Sequence, residues 1–189
     1  FGGPNEVMDG GADTDTGDWS YSASDWTIDL TAGTAKIGAT TFAQLVSIEN
    51  VTGAQGNDTI LGDSGANRLD GLNGNDSLLG QTGNDTLSGG VGIDTLDGGN
   101  DADLLMVGGA DAISDVIRGG SGNDRLLVIA SSGSLTLSTL QNFTAIETLD
   151  GAGQSILGTG GADRLDFSAF GSVVNVASIN GLGGNDTVI

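Results

Sequence analysis

Gly53–Met106 reads GAQGNDTIL GDSGANRLD GLNGNDSLL GQTGNDTLS GGVGIDTLD GGNDADLLM, six units of nine residues with none left over. The first place is Gly in every unit: Gly53, Gly62, Gly71, Gly80, Gly89 and Gly98. The fourth is Gly in five, among them Gly56, Gly74, Gly83 and Gly92, and Asp101 in the sixth. The sixth place holds Asp58, Asn67, Asp76, Asp85, Asp94 and Asp103, and the eighth is always Ile or Leu, from Ile60 to Leu105. Four places kept in phase over six units mark a repeat whose units stack on one another.

Each place has a physical reading. Gly at places one and four lets the backbone take positive φ or approach a neighbour closely, so the first six residues of a unit can turn tightly. The last three, an apolar residue between two mostly polar ones, make a short strand with a single inward side chain. One Leu per unit builds no core, but stacked units bury a column of them, each contributing roughly 1.5–3 kcal/mol. The place-six carboxylates then stack near the inter-strand spacing of about 4.8 Å and repel one another. A hard cation held by carboxylate and carbonyl oxygens relieves that repulsion, and turns rich in both suit Ca²⁺.

These units resemble the RTX, or haemolysin-type, calcium-binding nonapeptide G-G-x-G-x-D-x-U-x. The resemblance implies an all-β parallel β-roll in which two units make one turn and Ca²⁺ sits between turns. Its ligands would be place-six side chains and turn carbonyls such as those of Gly56, Gly74, Gly83, Gly92 and Gly122. Ligands then pair across eighteen residues rather than nine. One edge carries Asp58, Asp76, Asp94 and, across a three-residue insertion, Asp115; the other carries Asn67, Asp85, Asp103 and Asp124. Neutral Asn67 predicts a weak site with Asp85, and the insertion predicts strain between Asp103 and Asp124, with Asp101 compensating.

The flanks carry scattered units. Phe1–Asp9 reads as a worn one, Gly10–Asp18 as a weak one with Asp15 in the ligand place, and Gly119–Leu127 as a full one. Gly158–Asp166 offers Asp163, and Gly181–Ile189 offers Asp186. Between them lie apolar inserts. Trp26–Leu30 and Thr34–Ile37 read as strands of wider solenoid turns, with Trp19, Tyr21 and Trp26 covering the end of the roll. The segment ending in Ile146 and Glu147 parallels the one ending in Ile48 and Glu49. The expected organisation is one continuous solenoid: residues 1–52 as worn units plus insert, 53–127 as the β-roll core, and 128–189 as a second insert with scattered units. A first residue of Phe and a well-formed unit at the far end predict a fragment of a longer chain.

A net charge of −20 on 189 residues, with five basic side chains, argues against nucleic acid or an anionic membrane as partner. No apolar run is long enough to span a membrane as a helix. Without His or Cys the segment holds no HExxH zinc site, Ser-His-Asp triad or thiol nucleophile, and no enzyme activity is expected of it. Ice binding ranks low, because Leu61 and Leu79 interrupt the face that carries Thr59, Ser77 and Thr95. The resemblance implies export from a Gram-negative bacterium by type I secretion. The expected function is a Ca²⁺-dependent structural module of a secreted or cell-surface protein, such as an adhesin, a surface layer or the repeat tail of an exported protein. The alternative is a non-catalytic or solenoid part of a secreted polysaccharide-active enzyme or protease. Expected partners are several Ca²⁺ ions, with other copies of the chain or a cell-surface polysaccharide as further candidates.

Overall fold

A computed structural model describes residues 6–108, 115–129, 134–136, 143–157, 164–165, 167–168 and 170–189. All regular elements among them are strands, and the repeat winds as a parallel β-solenoid. Successive units alternate between two facing sheets. Thr59–Leu61, Ser77–Thr82, Thr95–Asn100 and Val116–Ser121 pair in parallel in one sheet. Asn50–Thr52, Arg68–Asn73, Thr86–Val91, Leu104–Val107 and Arg125–Val128 pair in the other. The step between paired strands is eighteen residues, as Ser77 opposite Thr95 shows, so one turn takes two units.

The place-eight side chains form two apolar columns between the sheets. Ile28, Ile60, Leu78, Leu96 and Ile117 stack on one side, and Val51, Leu69, Leu87, Leu105, Leu126 and Leu149 on the other, all buried. Because parallel pairing places identical residues side by side, each unit repeats the same packing problem and the same solution.

At the start of the roll Asn50–Thr52 and Thr59–Leu61 have the expected three residues, but the core strands that follow are longer. In the central turns they run for six, as in Arg68–Asn73 and Ser77–Thr82, continuing through the first three places of the next unit. The turn proper is confined to places four to six. Place two then takes positive φ even where it is not Gly, at Leu72 (76°) and Gln81 (79°). Place-one glycines serve a different need. A Cβ on Gly53 would stand 2.7 Å from Asp58 Oδ2 and 2.9 Å from the carbonyl oxygen of Gly71 in the next turn, so the residue is small because oxygens crowd it.

The first insert departs from the expected wider turns. Thr27–Asp29 is a solenoid strand, parallel to Thr59–Leu61, but Thr34–Ile37 folds back antiparallel to it, and Thr40–Val46 pairs antiparallel with Thr34–Ile37. The short Thr31–Gly33 connection, with Gly33 at φ 61°, permits a hairpin where a solenoid turn would need a crossover. Trp26 packs against Trp19 and Phe42 at ring separations of 5.9 and 5.5 Å. Both tryptophans are buried, whereas Tyr21 is 99% exposed and covers nothing. The Trp19 ring occupies the place that Gly17 leaves in the apolar column: a Cβ on Gly17 would meet ring carbons at 2.5 and 2.6 Å. Leu61 and Leu79 are neighbours in register and half-buried.

Candidate metal centre

Parallel stacking aligns the place-six residues into two files, one along each edge of the roll, and a hydrogen-bond ladder ties each file together. The backbone N–H of Asp58 donates to Asp76 Oδ1 (2.7 Å), that of Asp76 to Asp94 Oδ1 (2.8 Å), and that of Asp94 to Asp115 Oδ1 (2.9 Å). On the opposite edge Asn67 donates to Asp85 (2.8 Å), Asp85 to Asp103 (2.9 Å) and Asp103 to Asp124 (2.9 Å). The three-residue insertion leaves no mark on this spacing. Between Asp103 and Asp124 the ladder bond keeps its 2.9 Å length and the register Leu105 opposite Leu126 is kept.

One carboxylate oxygen of each residue is thus occupied. The other oxygens of Asp76, Asp85, Asp103 and Asp124 are buried and accept no hydrogen bond, on side chains at most 2% exposed. Such groups are costly unless a partner is supplied. Burial is the main cause that pushes Asp76 up to about 7, helped by the charges of Asp58, Asp94 and Asp70 and opposed by the bond from the Asp58 N–H. Burial likewise pushes Asp103 up to about 7 and Asp85 to about 6, with the charge of Asp101 adding to both. Asp101 therefore lies near Asp103, one of the pair it was expected to assist, and near Asp85 rather than Asp124. Its Oδ2 accepts from the Gly83 N–H at 3.3 Å.

The first two turns close differently. Asp58 Oδ1 and Oδ2 accept from the N–H groups of Trp26 (2.8 Å) and Ala54 (2.5 Å). Asn67 Oδ1 accepts from the Asp63 N–H, while its amide nitrogen donates to the Glu49 carbonyl oxygen (2.8 Å) and to Asp63 Oδ1 (3.3 Å). The amide of Asn67 thereby satisfies oxygens with its own protons.

Outside the core, Asp15 donates its N–H to Glu49 Oε2 at 2.9 Å. Asp186 stands against Gly181 as the core Asp residues stand against their own place-one Gly. Asp163 lies outside the described residues. The place-four glycines Gly74, Gly83, Gly92 and Gly122 stack on turn carbonyls one turn earlier, those of Gly56, Gly65, Gly74 and Asp101. This brings carbonyl oxygens to the same edges.

Place five was missed by the sequence reading. Asn57 Oδ1 accepts from the Asn75 N–H, Asn75 Oδ1 from Ile93 and Asn84 Oδ1 from Ala102, at 2.7, 2.8 and 3.0 Å. Asp25 does the same for Asn57 at 2.7 Å. The recurrent GND triplet was the available signal, since an Asx side chain can satisfy a turn N–H that the strand ladder leaves open.

No group of three or more His, Cys, Asp or Glu side chains among the described residues is placed to hold a metal ion. A cation at these edges would have to draw on carboxylates from two adjacent turns and complete its shell from backbone carbonyls. An all-oxygen donor set with buried, unpartnered carboxylate oxygens fits Ca²⁺. The chain's own part is to hold those oxygens in place through the Oδ1 ladder; the ion would supply the charge that lets them stack. No curated protein matches the chain. The model of the RTX calcium-binding nonapeptide repeat (4 copies) matches residues 48–78, 79–112 and 114–127. Residues 48–112 and 114–127, with their two place-six files, are similar to RTX calcium-binding nonapeptide repeats.

Proposed function

We propose that this chain is a Ca²⁺-dependent structural module of a secreted or cell-surface protein of a Gram-negative bacterium, folding where Ca²⁺ is abundant and remaining open where it is scarce. The observation that carries the reading is the set of buried, unpartnered carboxylate oxygens on Asp76, Asp85, Asp103 and Asp124. Without a cation their mutual repulsion opposes the stack; with one, each level is closed. The place-six residues, with Asp101 and the place-four carbonyls, are the ligands. The chain acts as one continuous solenoid, and its role in a longer protein is that of a scaffold, as in an adhesin, a surface layer or the repeat tail of an exported protein.

Circular dichroism of the chain in EGTA and in millimolar Ca²⁺, the range of extracellular modules, tests this. A strand signal that develops with Ca²⁺ supports the reading, and one that is the same in both solutions rejects it.

A further inference from the structure

We propose that Glu147 completes an additional Ca²⁺ site with Asp124, one turn beyond the last nonapeptide of the core. The proposal rests on the reading of the core as Ca²⁺-binding and extends it to a residue outside the repeat pattern. Arg125–Val128 pairs in parallel with Thr148–Asp150, with Arg125 opposite Thr148, so Glu147 stands in register with Asp124. Its Oε2 accepts the Asp124 N–H at 2.7 Å, as Asp124 Oδ1 accepts the Asp103 N–H at 2.9 Å. The second oxygen of Asp124 is buried without a hydrogen-bond partner on a side chain 1% exposed.

Two features of a core level recur beside Gly119, although the turn from Ala145 to Glu147 is three residues shorter than that from Gly119 to Asp124. At the core level, a Cβ on Gly98 would collide with Asp103 Oδ2 and with the carbonyl oxygen of Gly119, the latter at 2.6 Å. At the new level, a Cβ on Gly119 would collide with Asp124 Oδ2 at 2.6 Å and with the carbonyl oxygen of Ala145. A carboxylate oxygen and a next-turn carbonyl thus converge on the same side of Gly119 as on that of Gly98. The ligand class is unchanged: oxygen donors, two carboxylates and backbone carbonyls, suited to Ca²⁺. What differs is the side chain in the place of Asp, and the twenty-three residues that separate Asp124 from Glu147 where the core uses eighteen.

The opposite end of the same file uses the same device. Glu49 accepts the Asp15 N–H, and both Glu49 and Glu147 follow a buried Ile, Ile48 and Ile146. Glu at this place therefore recurs where an insert rejoins the roll.

The test counts Ca²⁺ ions bound to the full chain by equilibrium dialysis, comparing the wild type with Glu147→Gln, Glu147→Asp and, as a core reference, Asp85→Asn. Circular dichroism in Ca²⁺ monitors folding of each. The expected result is one ion fewer in Glu147→Gln and an unchanged count in Glu147→Asp. A Glu147→Gln count equal to wild type, while Asp85→Asn loses an ion, overturns this site and leaves the core reading intact. No ions bound by the wild type overturns both. If Glu147→Gln loses strand signal, the Glu147→Asp count decides: a loss there too overturns the site, because a carboxylate in that place should suffice.

Discussion

The N–H of Asp76 donates to Asp94 Oδ1 at 2.8 Å, eighteen residues further along the chain. Each carboxylate of the file is thereby fixed by the turn before it, with its other oxygen turned inward. The placement of these candidate ligands is a product of backbone pairing rather than of side-chain packing, and it inherits the rigidity of the sheet.

Acid should partly replace Ca²⁺. Asp76 and Asp103 sit at about 7 and Asp85 at about 6 in the folded chain, against 3.8 when free. The folded state binds more protons between those values, so stability of the cation-free roll is greatest below about pH 4 and falls as pH rises through 6 to 7. In EGTA, circular dichroism should show more strand at pH 5 than at pH 7.5. In limiting Ca²⁺ the trend should reverse, because protons compete for the ligands. A cation-free strand signal independent of pH would contradict the first half.

Gly71→Ala should weaken the loaded roll by about 1–3 kcal/mol, the cost of forcing an extra carbon into a packed site. The added Cβ would meet Asp76 Oδ2 and the Gly89 carbonyl oxygen, the latter at 2.6 Å. Urea unfolding in saturating Ca²⁺ reads the change, and a midpoint equal to wild type would remove the steric role assigned to place one.

Asn67→Asp should act with opposite sign in the two solutions. In EGTA it removes the amide donor to the Glu49 carbonyl and adds a charge beside Asp85, and should destabilise by roughly 1–3 kcal/mol. In Ca²⁺ the added carboxylate should raise affinity at that level by about tenfold, or 1.4 kcal/mol. Calorimetric titration and thermal melts in both solutions check the pair of signs.

Trp19→Ala should cost roughly 3–5 kcal/mol, since the ring is buried and fills the column where Gly17 has no side chain. Adding Gly17→Leu should restore part of that loss by returning an aliphatic residue to the column. Denaturant unfolding of the single and double variants measures the recovery, and no recovery would place Trp19's contribution elsewhere.

The periodic part of the chain was legible because each place in the unit has one physical demand and meets it in every turn. Ile60, Leu78 and Leu96 could be placed in one column, and Asp58, Asp76 and Asp94 in one file, once the family resemblance implied two units per turn. The inserts were less legible because a single strand pattern does not say whether its neighbour returns parallel or antiparallel. Thr34–Ile37 was read as a strand, but its direction is set by the short connection after Asp29. The substitution of Trp19 for a missing Leu crosses two residues of sequence, so no pattern of places reveals it. Glu147 was matched to Glu49 in sequence, yet only pairing with Arg125–Val128 brings it level with Asp124.

The place-six bonds run from an N–H in an earlier turn to an oxygen in a later one, and the place-five Asn bonds run back from a later N–H to an earlier oxygen. Each edge of a turn therefore offers both donors and acceptors to the turn on either side. A roll built this way has no preferred end, so a new turn finds complementary partners whether it is laid down before or after the stack already formed.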